Sequence, residues 1–437
     1  MERTLAAETT KKIGKEVRLA GWVFNRRDHG KLVFIDLIDR TGIIQLVCGA
    51  EAKDLRVQDV IEAEGELKER EKKNINPDLA TGKVEVKVSK LTKISAAQAL
   101  PFDTAKKDLG VELPTLLDYR PLTLRHPKIK AVFKVQEAIV DSFRNSLQGM
   151  DFTEFQAPTI VPSVTEGGAQ VFPVDYYEKK AYLGQSPQLY KQIMVGVFER
   201  VFTVTKAFRA EPSETTRHLS EYVSLDCEMG FIESWGDVLA TAEKVILGIF
   251  EGVRERSKGE LALYQAEIPT YKSPFPRLKL REAQEIIFKE FGRDVKGDPD
   301  LSPEDEKDIC EWAKKKHGSE MVFITHFPTA KRPFYTHPDP EDPEFTLSFD
   351  LLGRGLEWVT GGQRIHEYDK LVANIKKWGN DPKDFELYLE AFKYGMPPHG
   401  GFAIGAERVT MQILGLANIR EASLFPRDMN RVDRRLA

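Results

Sequence analysis

Residues 208–229, FRAEPSETTRHLSEYVSLDCEM, hold the densest set of groups able to do chemistry. Arg209 and Arg217 stand in a polar stretch between two apolar, strand-like runs. A guanidinium presents a planar fork that grips phosphate through two parallel hydrogen bonds. Glu211, Glu221, Asp226 and Glu228 surround the arginines, and a two-residue period puts Asp226 and Glu228 on one strand face. Such a set suits a site that holds a polyphosphate together with an ammonium group or a metal ion. A charged hairpin laced with surface ion pairs accounts for the same residues. Two further segments stand out. GGFAIGAER (400–408) ends in Arg408, and its glycines let the backbone approach a ligand or another strand. GMDFTEFQAP (149–158) directly follows a long amphipathic helical pattern.

Other chemistries are poorly represented. No G-x-x-x-x-G-K-[ST] phosphate loop, strand-linked G-x-G-x-x-G or H-E-x-x-H is present. The eight histidines are scattered rather than set at metal-ligand spacing. Gly401–Gly405 lacks the serine of a hydrolase elbow. Phosphates would therefore be handled by arginines and carboxylate-held Mg²⁺. The composition, 41% hydrophobic and 30% charged over 437 residues, is that of a globular chain rather than a disordered or collagen-like one. Cys48, Cys227 and Cys310 lie far apart, which argues against a disulfide framework or a cysteine zinc site and fits a reducing cytoplasm. No apolar run long enough for a membrane span and no secretory h-region occurs. The net charge is −4, with a slight basic excess in residues 1–100 (19 Lys+Arg against 16 Asp+Glu). Any polyanion contact is thus expected at the N-terminal unit.

The elements that must position these groups fall into two blocks. Residues 16–47, 60–70 and 83–94 read as five short strands split by turn signals, which predicts a small barrel of the oligonucleotide-binding kind. Residues 101–127 carry Pro101, Pro114, Pro121 and Pro127 and read as a connector. Beyond it, Val132, Val135, Ile139 and Phe143 mark an amphipathic helix stopping at Gly149. Helices are expected at 185–200, 237–257, 278–291, 303–317 and 364–394, with strands at 201–208, 222–232 and 402–407. Strands in blocks rather than strict βαβα alternation predict an α+β domain on an antiparallel sheet.

Taken in chain order, the three segments resemble the three signature motifs of class II aminoacyl-tRNA synthetases. These are the long helix with a strand ending at Pro158, then Phe208-Arg209-Ala210-Glu211 with Arg217-His218, and finally Gly405-Ala406-Glu407-Arg408. QSPQLYKQ (185–192), TEGG (165–168), GGQRIHEYD (361–369), YGMPPHGGFAIGAER (394–408) and NIREASLFPRD (418–428) narrow the resemblance to aspartyl-tRNA synthetases of the archaeal type, over essentially the whole chain. The resemblance implies an anticodon-binding OB-fold barrel over 1–100, a hinge over 101–127 and a catalytic domain over 128–437. That domain would stand on a six- to seven-stranded antiparallel sheet, in a homodimer with the first motif at the interface.

The same resemblance implies roles. Arg209 would contact the α-phosphate of ATP and the aspartate carboxylate. Arg408 would contact the γ-phosphate and lie against the adenine, Arg217 and His218 would reach the bent triphosphate, Tyr222 would stack on adenine, and Glu211, Leu219 and Glu357 would complete the ATP site. Glu357, Thr360 and Asp350 match the Mg²⁺ positions; the archaeal pattern usually has Ser at 360, and a structural loop acid remains an alternative for Asp350. Lys191 and Arg364 match the two clamps on the substrate β-carboxylate, with Ser186 and Gln188 nearby. Asp226 and Glu166 match the receivers of its ammonium, Glu166 in a glycine-flanked lid. In the barrel, Phe34 and Gln45 match the pair that reads the central anticodon uridine, with Arg26 and Arg27 alongside; a core position for Phe34 stays open. The partners implied are L-aspartate and tRNA(Asp), with tRNA(Asn) open as a second acceptor that would require an amidotransferase. NPDLATG (76–82) would line the third-position anticodon pocket and is closer to the bacterial loop. The related asparaginyl enzymes lack the lysine at position 191, and a non-aminoacylating paralogue would lose the motif arginines or the barrel.

Overall fold

The computed structural model describes residues 1–162, 170–212 and 215–434. Two compact units divide between Val111 and Glu112, inside the stretch expected to be a connector.

The first unit is a closed five-stranded barrel of β1 (Glu16–Asp28), β2 (Val33–Ile38), β3 (Ile43–Cys48), β4 (Val60–Glu69) and β5 (Val84–Ser95), in the order β1-β2-β3-β5-β4. Alternation builds it. Val17, Leu19 and Val23 of β1, with Val33, Ile35 and Leu37 of β2, fill one core with Ile44, Leu46, Ile61, Ala63 and Val86. Closure needs a tight crossing at Gly65, where a Cβ would lie 2.2 Å from the Lys87 carbonyl oxygen beside a register shift.

In the second unit, α1 (Leu113–Asp118) and α2 (Arg120–Thr123) come first. They occupy residues read as connector, because Arg120 is buried and donates to the carbonyls of Glu421, Ser423 and Leu424. Next come α3 (Pro127–Gln148), β6 (Thr153–Glu154), β7 (Ile160–Val161), β8 (Pro173–Tyr176), β9 (Lys179–Leu183) and α4 (Gln188–Phe198). β10 (Arg200–Phe208) and β11 (Glu221–Gly230) precede α5 (Gly236–Arg256), α6 (Lys258–Tyr264), β12 (Arg277–Lys279), α7 (Leu280–Ile286) and α8 (Pro303–His317). The chain continues through β13 (Met321–Thr325), β14 (Ser348–Gly353), β15 (Leu356–Arg364), α9 (Tyr368–Lys377), α10 (Glu386–Lys393), β16 (His399–Gly405) and α11 (Ala406–Leu414).

The sheet has eight strands in the order β12-β13-β14-β15-β16-β11-β10-β6, one or two more than expected. Its six central strands are antiparallel, and the short edges β6 and β12 pair in parallel. One face packs Leu225, Cys227, Phe349, Leu351, Val359, Phe402 and Ile404 against α3 and α5. Each fully buried side chain of this size contributes about 1.5–3 kcal/mol. The opposite face carries the polar residues of interest. The helix expected over 364–394 is two, because Arg364 ends β15 and Pro382 breaks the pattern after α9. No helix among the described residues is long and apolar enough to cross a membrane.

Candidate active site

Cross-strand register builds the site. Asp350 pairs with Thr360, Thr360 with Ala403, and Ala403 with Asp226, so four strands place these residues in one row on one face. Two residues along, Glu228 pairs with Gly401 and Gly401 with Gly362. Glycine at 401 makes room, since a Cβ there would lie 2.3 Å from Glu228 Oε2.

Into this space α4 projects Lys191, which shares its buried face with Gln188, Gln192 and Val195. Lys191 is 1% exposed and sets Nζ 3.0 Å from Asp226 Oδ1 and 3.3 Å from Glu228 Oε2. Arg364, at the end of β15, donates from Nε to Glu228 Oε1 at 2.8 Å and from Nη2 to the Gly401 carbonyl at 2.9 Å. Burial pushes the Glu228 carboxyl up, but Arg364 and Lys191 outweigh it and hold the group below its ordinary value. Two cations and two carboxylates therefore balance in a buried cluster. Behind them, His399 meets Gln192 at 2.9 Å, and burial lowers its pKa to about 4. Gln188 donates to Gln192 at 2.9 Å, while Ser186 Oγ accepts from the Gln188 N–H at 3.2 Å, before α4 begins.

Beside this cluster lies a cleft lined by Arg209, Arg217, His218, Leu219, Tyr222, Glu357, Thr360 and Arg408, among others. Arg209 leaves the end of β10 and lies 5.8 Å from the Tyr222 ring centre. Arg408, in the first turn of α11, sets Nη1 3.3 Å from Glu357 Oε1. Burial raises Glu357, while Arg408, Arg332, Arg209 and Arg217 more than offset it and lower its pKa. Arg217 pairs with Glu306 of α8, whose pKa burial pushes up to about 7 against that partner. Burial, then Arg408 and Arg217, lower His218. Arg420 Nη1 donates to the Thr215 carbonyl at 3.2 Å, and Ile419 N to that of Thr216 at 2.9 Å, so the C-terminal segment anchors this loop. Glu211 is exposed next to these groups.

At the row's far end, Arg332 donates from Nη2 to Asp350 Oδ2 at 2.7 Å and from Nη1 to Thr360 Oγ1 at 3.2 Å. Burial raises Asp350 to about 6, with Arg332 opposing.

In the barrel unit, Phe34 is half-buried on the outer face of β2, outside the core. Arg27 pairs with Phe34, and Gln45 with Asp36. Arg27 Nη2 reaches Asp36 Oδ1 at 3.0 Å and Gln45 Oε1 at 3.1 Å. Arg26 does not join them. It points to the other side of β1 and donates to the carbonyls of Ala52 and Lys53 at 3.3 and 2.8 Å.

The structure thus gathers the expected residues into an arginine-lined cleft, a buried cation pair and a barrel surface. Glu166 lies outside the described residues. Sequence reasoning assigned no role to Glu228, although its period-two relation to Asp226 was visible. It also passed over Arg332 and Glu306, which reach the site from a loop and from α8.

A largely antiparallel sheet with an arginine-lined cleft and, in a separate unit, a five-stranded barrel together define a class. Residues 112–429 match the family model for tRNA synthetases class II (D, K and N), and residues 17–94 that for the OB-fold nucleic acid binding domain. The chain belongs to the class II tRNA synthetases of this D, K and N group. It is 45% identical to an aspartate–tRNA(Asp/Asn) ligase of Deinococcus radiodurans, with 99% of each chain covered. It is 40% identical to an aspartate–tRNA(Asp) ligase of Pyrococcus horikoshii, with 96% of each covered. Among solved structures it is similar to asparaginyl-tRNA synthetase from Pyrococcus horikoshii complexed with asparaginyl-adenylate, at a TM-score of 0.90, 33% identity and 99% coverage of both chains.

Proposed function

We propose that this chain is an aspartate–tRNA ligase that activates L-aspartate with ATP and transfers it to the 3′ end of tRNA(Asp). The observation that carries the reading is the buried pair Lys191 and Arg364, held by Glu228 and Asp226 beside the nucleotide cleft. Two cations suit a substrate whose side chain ends in a carboxylate. An asparagine amide brings these cations no charge, whereas an aspartate carboxylate would pair with both, and that difference is the basis of discrimination.

In the proposed reaction the aspartate α-carboxylate attacks the α-phosphorus of ATP and pyrophosphate leaves. A terminal ribose hydroxyl of the tRNA then attacks the carbonyl carbon and AMP leaves. The protein works by positioning and charge neutralisation. Arg209 aligns carboxylate and α-phosphate, Arg408, Arg217 and His218 hold the outer phosphates, and Tyr222 stacks on adenine. Asp226 receives the substrate ammonium.

The donor set beside the cleft fits Mg²⁺, which prefers carboxylate and hydroxyl oxygens. Asp350 Oδ1 is buried without a hydrogen-bond partner, while Arg332 already takes Oδ2. Glu357, Asp350 through Oδ1, and Thr360 would hold the ion, which would neutralise phosphate charge.

The outer barrel face of Phe34, Gln45 and Arg27 is the proposed anticodon surface, with Arg26 left out. The working form is a cytoplasmic homodimer through α3. tRNA(Asn) is the second acceptor to examine, because the Deinococcus relative is named for both tRNAs.

Charging with ¹⁴C-aspartate and ¹⁴C-asparagine on separate pure tRNA(Asp) and tRNA(Asn) tests this reading. Aspartate on tRNA(Asp) is expected. Aspartate on both tRNAs would require an amidotransferase downstream. Asparagine charging would overturn the reading of Lys191, and no charging at all would overturn the ligase.

A further inference from the structure

His337 and His366 are distant in sequence but sit on two segments that run side by side. His337 N donates to the Gln363 carbonyl at 3.0 Å, and Ile365 N to that of Tyr335 at 2.9 Å. With Thr336 bridged to Arg364, this antiparallel pairing stacks the two imidazoles, their centroids 6.4 Å apart and their planes within 16°. Glu367 follows at once, immediately before α9. One donor atom from each of His337, His366 and Glu367 lies within 4.8 Å of the others.

The hydrogen bonds around these groups leave the right atoms open. His337 Nδ1 meets the Pro338 carbonyl at 2.6 Å, so that nitrogen carries the proton and Nε2 keeps its lone pair. His366 Nδ1 and Glu367 Oε2 are buried, have no hydrogen-bond partner and stand 3.7 Å apart. The other oxygen of Glu367 is taken by Lys370 Nζ at 2.5 Å. Buried polar atoms without partners are uncommon and destabilising, and two adjacent ones facing a third donor call for a shared partner.

We propose that His337, His366 and Glu367 form a binding site for a divalent transition metal of the zinc class, separate from the catalytic cleft. Two imidazoles and one carboxylate select zinc, cobalt or nickel over Mg²⁺, which favours oxygen donors throughout. Three protein ligands leave a fourth position for water. The bound metal cross-links residues 335–337 to residues 363–367. It thereby steadies the segment that sets Tyr335 5.5 Å beneath the Arg364 guanidinium.

The test uses the full chain, freed of metal with EDTA and titrated with Co²⁺ or Zn²⁺ under excess Mg²⁺. One equivalent is expected to bind, with the visible Co²⁺ bands of a four- or five-coordinate site and a melting temperature raised by about 2–4 °C. His337→Gln and Glu367→Gln should each weaken binding roughly tenfold or more and remove the thermal shift. No binding by the unaltered chain, or equal affinity in both variants, overturns the proposal. A readout independent of the variants is labelling by diethyl pyrocarbonate, followed by mass spectrometry. Zinc should protect His337 and His366, and unchanged labelling at both also overturns it.

Discussion

Glu228 joins Arg364 at 2.8 Å in the floor of the sheet, with the carboxylate fully buried, and the same carboxylate lies 3.3 Å from Lys191. It therefore serves as common counter-ion to both proposed clamps. Glu228→Gln keeps the shape and leaves a surplus buried positive charge, and breaking a buried pair in this way costs about 3–5 kcal/mol. Urea denaturation should show a loss of that order. In pyrophosphate exchange, the aspartate KM should rise more than tenfold while the ATP KM stays within a few-fold. An unaltered aspartate KM would mean that Glu228 serves packing alone.

Lys191 is the residue on which the substrate class turns. Lys191→Met retains length and apolar volume but deletes the cation 3.0 Å from Asp226. Aspartate activation is expected to fall about 10²–10³-fold, the equivalent of roughly 3–4 kcal/mol. ATP binding, measured by calorimetry, should be nearly unchanged, since Lys191 does not line the nucleotide cleft. A normal aspartate KM in this variant would remove Lys191 from the clamp.

Phe34 stands outside the barrel core, its ring edge-on to His29 at 5.4 Å. Phe34→Ala should leave barrel stability nearly intact while removing a stacking surface worth about 1–3 kcal/mol per base. Charging of tRNA should then lose about 10–10²-fold in kcat/KM, with pyrophosphate exchange unaffected. Equal loss in both steps would show that the ring supports the fold rather than the tRNA.

The legible parts of the chain were those with a clear period or a contiguous motif. α3 could be read because Val132, Val135, Ile139 and Phe143 follow one helical face, and Gly149 ends it. β13 could not, because all five of its residues are buried and its pattern does not alternate. The arginine cleft was readable from residues 208–229 and 400–408, since each segment is short and charged. The shared role of Glu228 needed the reach of α4 across the sheet. The histidines looked scattered because His337 and His366 meet only through pairing between distant segments. Residues 113–123 looked like connector because the carbonyls that hold Arg120 come from the far end of the chain.

Glu407 carries a pH signature. It is 3% exposed and accepts from the Val223 N–H through both oxygens at 3.1 Å, and burial raises its pKa from the ordinary 4.5 to about 7. Between those values the unfolded chain releases the proton first, so folding stability falls as pH rises through the window and stays lower above it. The full effect is about 3 kcal/mol at most. Glu407→Gln cannot ionise and can still accept from Val223. Relative to the unaltered chain it should gain about 1–3 kcal/mol at pH 8, with the difference closing toward pH 4.5. Comparing the two proteins cancels the similar contribution of Glu306, which is raised to about 7 and present in both. Urea denaturation across this pH range measures the difference. A variant that loses ground as pH rises would show that Glu407 is ionised and stabilising in the fold, reversing the sign assigned to its burial.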